Sequence, residues 1–420
     1  MGAVAMRGFP ISFDPDAADL VIINTCSFIE LARRESFDVI REYEEKKRQG
    51  EISALFVVGC LPQLLGRGLY AEFDGVDEFL PLNEMPRIAE MIDDSVGHGA
   101  GPADGRPAHG PAPRLLVTPP HTAYLKIAEG CDNCCSYCLI PRIRGPLASR
   151  PPESIIDEAR RLAEMGVKEL NLIAQDVAAW GRDVPYRPQL HELLGDLCDI
   201  DGIEWVRLLY THPASIDDGL IEAITVNEKI CNYLDIPVQH CEDRILTAMN
   251  RKISKRKLLD LISGIRARIP EVTLRTTVMV GFPGETEAEF DQLMEFLDTV
   301  QFDRLGAFAY SRESGTPAAA FNVRIADEVK QDRLDAIMQL QADISYEKNA
   351  ALIGKELDVI IDRAAPSEKG RAAPLIGRTR GQAPDVDGVI RIRGCAAPGE
   401  LVRAVVMSAG AYDLEADLMD

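Results

Sequence analysis

Cys131, Cys135 and Cys138 stand at Cys-x3-Cys-x2-Cys spacing within Glu129-Gly-Cys-Asp-Asn-Cys-Cys-Ser-Tyr-Cys-Leu-Ile-Pro141. Three thiolates so placed can hold three irons of a four-iron, four-sulfur cluster. The fourth iron stays open, where a ligand can bind and chemistry can start. A structural zinc ion is the competing reading, but zinc closes its tetrahedron with a fourth Cys or His at short range. The nearby Cys134 adjoins Cys135, and adjacent side chains rarely reach one metal well, so Cys134 is read as adventitious. Cys198, Cys231, Cys241 and Cys395 are scattered and are expected to be buried packing residues.

A loop of this kind needs a scaffold. Between about Thr122 and Tyr310, strand and helix signals alternate. Strands are expected at Ala123–Ala128, Glu169–Ile173, Trp205–Tyr210, Tyr233–Pro237, Thr273–Val280 and Arg304–Tyr310. Helices are expected at Ser154–Met165, Gln189–Cys198, Ile216–Ile224, Arg256–Arg268 and Glu285–Leu297. Repeated βα units of this number predict a (β/α)6 partial barrel, whose function gathers at the strands' carboxyl ends. The Cys triplet follows the first strand directly. Ahead of it, Asp19–Thr25 and Ser53–Gly59 are short apolar runs flanking a helical pattern at Glu30–Arg48, so residues 1–94 read as a parallel α/β unit. Residues 95–120 are rich in Gly, Pro and Ala and read as a linker, with His98 and His109 as solvated loop residues. After a long helix at Ala326–Ile353, residues 351–420 carry short β-rich runs at Glu356–Ile361, Gly388–Ile392 and Leu401–Met407, a small β-barrel module. The barrel core spans 121–350.

Bulk properties bound the function. A chain of 420 residues with 46% hydrophobic content supports two or three domains with large cores. No apolar run has membrane-spanning length and no leader pattern opens the chain, so a soluble, cytoplasmic protein without membrane contact is expected. In such a setting ten Cys point to metal binding or catalysis rather than disulfides. A net charge of -21 argues against a protein held mainly by phosphate contacts.

Other polar residues fall at strand ends. Gln175 and Asp176 close the second barrel strand. Gln239 and His240 follow the fourth, where a satisfied buried pair is an equally good reading. Gly281, Gly284 and Glu285 make a Gly-rich turn after the fifth, allowing close backbone approach to a ligand.

Together, Asn24-Thr-Cys-Ser-Phe-Ile-Glu30, Val58-Gly-Cys-Leu-Pro-Gln63, the Cys triplet, Ala174-Gln-Asp176, Asp235–His240 and Gly281–Thr286 resemble the radical S-adenosylmethionine (SAM) methylthiotransferase family over nearly the whole chain. The resemblance implies a flavodoxin-like N-terminal domain, a radical SAM (β/α)6 partial TIM barrel and a C-terminal TRAM β-barrel. It also implies SAM, two 4Fe-4S clusters and an electron donor such as flavodoxin or ferredoxin. SAM binds the open iron of the first cluster. One-electron cleavage then releases an adenosyl radical that abstracts an unactivated hydrogen, chemistry the cofactors carry and the protein orients. Cys131, Cys135 and Cys138 match the ligands of this cluster. Gln175, Gln239, Gly281, Gly284 and Glu285 are candidate SAM contacts. Cys26 and Cys60 match two ligands of the second, sulfur-handling cluster. The family's third ligand lies upstream of its counterpart of Cys26, where this sequence has no Cys, so the N-terminal domain is expected to be truncated at its start.

Two branches of the family differ in substrate. One modifies the β-carbon of an aspartate in ribosomal protein S12, the other an adenosine in tRNA. Phe28–Ser36, Trp205–Tyr210, Tyr233–His240, Phe302–Ser311 and Gly377–Gly388 resemble the ribosomal branch, and an acidic chain suits a basic ribosomal protein. The expected partners are S12 or the small ribosomal subunit. Arg371, Arg378, Arg380, Arg391, Arg393 and Arg403 are candidates for rRNA contact through the TRAM module, or simply its solvated face. A non-catalytic iron-sulfur protein that binds RNA or the ribosome is the alternative of a different class; failure of the reduced protein to cleave SAM would favour it. As it stands, the chain is expected to cleave SAM yet insert sulfur poorly; about eight irons per reconstituted protein would show instead that both clusters are intact.

Overall fold

The computed structural model describes residues 1–96, 114–365 and 374–419. His98, His109 and Arg371 lie outside them. The chain forms two compact units. The smaller comprises residues 1–117, 138–145 and 311–316, and the larger the remainder.

In the smaller unit, β1 (Leu20–Thr25), β2 (Ala54–Gly59) and β3 (Glu78–Pro81) form a parallel sheet in the order β1-β2-β3. Every residue of the central strand β2 is buried. Alternate side chains enter opposite faces, as strand geometry requires. Leu55 and Val57 pack with Ile40 of the helix Glu30–Arg48 and with Phe73. Ala54, Phe56 and Val58 pack with Val4, Leu80 and Ile92.

In the larger unit, β4 (Thr122–Lys126) is followed by the two-residue strands β5 (Ala128–Glu129) and β6 (Ala148–Ser149), which pair with each other. Then come β7 (Glu169–Ile173), β8 (Trp205–Leu208), β9 (Ile230–Asp235), β10 (Thr273–Val280) and β11 (Arg304–Ala309). Six of these pair in parallel in the order β4-β7-β8-β9-β10-β11, with β4 and β11 as open edges. Helices Pro152–Glu164, Leu190–Cys198, Asp218–Val226, Lys255–Arg268 and Glu287–Val300 make the crossovers. The partial (β/α)6 barrel is therefore present. Asp217, Ser254 and Thr286 cap three of these helices, Thr286 through a capping box with Glu289. The long helix Asp327–Ala350 covers the β11 edge, where Gln341 donates to Phe302 O and Arg304 donates to Asn349.

Several boundaries depart from expectation for local reasons. The first strand ends at Lys126 because Ala128 and Glu129 pair away with β6. The fourth begins at Ile230 and ends at Asp235, ahead of Pro237, which has no N–H to offer a ladder. The helix Asp243–Ala248 was not foreseen.

The C-terminal module is a closed barrel of β12 (Glu356–Ala364), β13 (Leu375–Thr379), β14 (Ile390–Arg393), β15 (Leu401–Ala409) and β16 (Leu414–Leu418) in the order β12-β13-β14-β16-β15. It docks at the amino ends of the six-stranded sheet. Trp205, Cys231 and Tyr233 pack against Ile360 and Ala383 there. At the centre, Glu169 is fully buried and accepts from Arg378 (2.7 and 3.0 Å), Arg207 (3.1 Å) and Thr122 (2.9 Å), while Arg378 also holds Asp362 (2.8 Å). Arg380 is likewise drawn inward, donating to the carbonyls of Glu228 and Ile230. Burial pushes the Glu169 carboxyl up, but Arg378 and Arg207 outweigh it and bring the pKa down to about 2.

Removing one partner of a buried ion pair leaves an uncompensated charge, at a cost of about 3–5 kcal/mol. Arg378→Met is expected to lower stability in urea by about this amount. The Glu169 contribution is present in full above the ordinary value of 4.5 and lost as pH falls toward about 2. The acid limb of a stability–pH curve should therefore flatten in Glu169→Gln.

Candidate active site

All ten cysteines are free thiols. Cys131 and Cys135 lie in the larger unit, on the loop that leaves β5 at the carboxyl end of the sheet. Cys138 opens the segment that packs with the smaller unit. Among the described residues no three His, Cys, Asp or Glu side chains gather as a single metal ion requires. A four-iron cluster makes a different demand, since each thiolate takes its own iron.

The loop is braced from several sides. Leu147 N–H donates to Asp132 (3.0 Å), and Asn133 N–H lies 3.5 Å from the Cys131 sulfur. The Asn133 side chain donates to Asp176 (2.8 Å), which also accepts from the backbone of His212 (3.1 Å) and from Ser215 (2.8 Å). Asp176 is therefore buried with three donors satisfied; burial pushes its carboxyl up against their pull. Cys134 is exposed, has a left-handed backbone (φ 52°), and its carbonyl accepts from Asn250 (2.8 Å). Ser136 is tied by its N–H to Met249 O and by its hydroxyl to Ala248 O. Arg251 donates to the Cys135 sulfur (3.4 Å) and to Pro237 O.

The remaining candidates also lie at carboxyl strand ends. Gln175 follows β7, and its buried Oε1 has no hydrogen-bond partner. Gln239 is buried with φ 69°, its backbone locked to Thr277 O and Met279 N. His240 is fully buried; its Nδ1 accepts from Glu242 N–H, its Nε2 has no partner, and burial lowers its pKa to about 4. Gly281 turns at φ 71°, and a Cβ there would come within 2.4 Å of Lys330 Cγ. Glu285 is committed within the turn: it accepts from Phe282 N–H (3.1 Å) and Arg333 (2.8 Å), so it holds the loop's shape. Of the other cysteines, Cys198, Cys231 and Cys241 are buried as expected, but Cys395 is exposed because it falls in the connection between β14 and β15.

In the smaller unit, Cys26 and Cys60 follow β1 and β2 immediately, and their predecessors Thr25 and Gly59 are register partners. Gly59 is required there. At φ 105° a Cβ would sit 2.7 Å from Asn24 Oδ1 and 2.8 Å from Thr25 O. Cys26 is exposed, whereas Cys60 is buried, packs with Leu139 and Ile143, and receives Arg144 at 3.5 Å.

Sequence reasoning missed Asn133, His212, Ser215, Asn250 and Arg251. His212 is the most informative. It is buried, its Nε2 has no partner, and burial followed by the charges of Arg251, Lys252 and Arg182 lowers its pKa to about 3. Asn is a residue that tolerates left-handed backbone. Nothing local, however, links Asn250 to a loop 116 residues earlier.

Three family models match the chain: "Uncharacterized protein family UPF0004" over residues 1–81, "Radical SAM superfamily" over 125–297 and "TRAM domain" over 353–419. A curated relative from Geobacter sulfurreducens, named ribosomal protein uS12 methylthiotransferase RimO, is 43% identical over 100% of this chain and 94% of its own length. The chain belongs to this family. A relative of the same name from Anaeromyxobacter is 42% identical over 99% of the chain and 88% of its own length. Among solved structures, the radical SAM methyltransferase TsrM of Kitasatospora setae aligns with TM-score 0.56 at 13% identity, covering 75% of this chain and 68% of that one. That likeness is one of fold. The Cys triplet falls inside the radical SAM match, and Cys26 and Cys60 inside the N-terminal one.

Asp176→Leu removes the acceptor for three donors, each costing about 1–3 kcal/mol when left buried and unpaired. Amide exchange across residues 130–135 is expected to accelerate at least tenfold, measured by mass spectrometry. Unchanged exchange would mean that Asn250 and Ser136 hold the loop alone.

Proposed function

We infer that this protein is a radical SAM methylthiotransferase that adds a methylthio group to the β-carbon of an aspartate in ribosomal protein S12. The observation that carries the reading is similarity along the whole chain, at 43% identity, to a protein named for that activity. The Cys triplet fits the first of the cofactors. Cys131, Cys135 and Cys138 are three free thiols within one short loop, and would hold a 4Fe-4S cluster with one open iron. Cys26 and Cys60, at neighbouring strand ends, would supply two ligands of a second cluster. Bound there, cluster and SAM supply one-electron C–S cleavage and hydrogen abstraction from an unactivated carbon.

The chain's own contribution is to bind and orient. Asp176, through Asn133, fixes the start of the Cys loop. Gln175 offers a buried carbonyl oxygen without a partner, suited to the ammonium group of SAM. The turn at Gly281–Gly284, rigidified by Glu285 and Arg333, presents backbone for close approach by the ligand. Gln239, held in left-handed backbone beyond β9, is tied to β10 through Thr277 and Met279. S12 is basic enough to be drawn by a chain of charge -21. The electron donor is assigned to the flavodoxin or ferredoxin class. The TRAM barrel is assigned a supporting contact with rRNA.

Deleting the gene is expected to remove a methylthio increment from the mass of S12 and to leave tRNA nucleosides unchanged. Complementation with Cys135→Ala should not restore it. Loss of a tRNA adenosine modification instead would move the assignment to the other branch of the family.

A further inference from the structure

We propose that Arg251 is a built-in counter-charge for the cluster at Cys131, Cys135 and Cys138, a positioning residue that raises the cluster's reduction potential through Cys135. The proposal rests on the cluster reading above and adds to it the residue that sets the ease of reduction.

Arg251 is only 4% exposed. Burying a guanidinium is costly unless an anion meets it. Of the other buried arginines, Arg207 and Arg378 meet Glu169 and Arg333 meets Glu285, while Arg304 meets only the Asn349 amide oxygen and the Asp303 carbonyl. Arg251 differs from all four in reaching a cysteine sulfur. Among the described residues no carboxylate lies within ion-pair distance of it. Its Nη1 reaches the Cys135 sulfur at 3.4 Å, its Nη2 donates to the carbonyl of Pro237, and its Nε has no partner. The group in reach that becomes anionic on ligating iron is thus Cys135.

The backbone is shaped to hold it there. Asn250 (φ 57°) and Lys252 (φ 56°) flank Arg251, both in left-handed conformation, and Arg251 N–H closes onto Leu246 O at 2.9 Å. Two non-glycine departures of this kind within three residues persist only where surrounding contacts over-determine them, and they concentrate at functional sites. Mechanical bracing alone does not require a charge. Asn250 and Ser136 already fasten the same loop with neutral hydrogen bonds.

The consequence is electrostatic. Reduction adds one electron, and so one negative charge, taken from a low-potential one-electron donor (dithionite in the assay). An N–H donor and a fixed positive charge at a ligating sulfur favour the more negative state, and hydrogen bonds to the sulfurs are among the determinants of cluster potential.

The test is an anaerobic redox titration of the reconstituted full chain, followed by electron paramagnetic resonance without SAM, with iron content measured in parallel. Arg251→Met keeps an apolar stem and removes charge and donors. Its midpoint is expected below wild type by a factor of about ten in the reduction equilibrium, or about 59 mV for one electron. A fully loaded Arg251→Met with the wild-type midpoint overturns the proposal. So does a variant whose SAM affinity falls while the potential holds, which would make Arg251 a ligand contact. Should Arg251→Met not retain iron, Arg251→Gln decides, since it keeps a polar side chain and removes the charge: a lowered midpoint supports the assignment and an unchanged one overturns it. A wild-type chain that takes up no cluster would overturn the cluster reading itself, a result distinct from a loaded variant with unchanged potential.

Discussion

Glu169 is the point on which the larger unit turns. It sits at the amino end of β7, fully buried, between Arg207 of β8 and Arg378 of β13. Burial alone would push a lone carboxyl up there; two guanidiniums instead bring it down to about 2. Because those guanidiniums come from different modules, the charge balance is met only when the small barrel is docked. An open six-stranded sheet has two ends. Docking at the amino end leaves the carboxyl end, with the Cys loop, Gln175, Gln239 and Gly281, for ligands.

That carboxyl end carries a second constraint, strain. Cys134, Tyr210, Gln239, Asn250 and Lys252 are all non-glycine residues in left-handed conformation, and each is in or next to a strand-end loop or the turn that braces the Cys loop. Such conformations cost about 1–3 kcal/mol each and are retained where the surroundings enforce them. Here the enforcement is visible as hydrogen bonds: Asn250 to Cys134 O, Gln239 to Thr277 O and Met279 N, and Tyr210 N–H to Asp235. The amino end is held by ion pairs and the carboxyl end by hydrogen-bonded, strained turns, so the chain's own contacts set the shape of the ligand-facing loops.

Much of this was legible in the sequence. The barrel strands at Glu169–Ile173 and Thr273–Val280 and the helix at Glu30–Arg48 agree with expectation to the residue. Their signals are local: continuous apolar runs for buried parallel strands and 3.6-residue spacing for the helix. The Cys spacing was equally local. What stayed hidden was long-range. β13 and β16 are short, and barrel closure rather than composition makes them strands. Arg251, Asn250 and Ser215 become recognisable only when the fold brings them to Cys135, Cys134 and Asp176. The boundary of β4 also required knowing that β6 would claim Ala128 and Glu129.

The arginines of the C-terminal module bear on partner choice. Arg378 and Arg380 are turned inward, one to Glu169 and Asp362, the other to backbone carbonyls and the face of Trp205. Arg391, Arg393 and Arg403 remain on the surface, paired with Asp413, Asp417 and Glu356. A polyanion approaching this barrel must therefore compete with carboxylates already in place, at a surface whose parent chain carries a net charge of -21. Surface pairs of this kind are weak, about 0–1 kcal/mol each, so they open readily to a stronger phosphate partner. They still subtract from the counterion-release gain that makes nucleic-acid binding strong. A module so neutralised suits a supporting contact with rRNA beside a basic protein target better than the main grip on a tRNA.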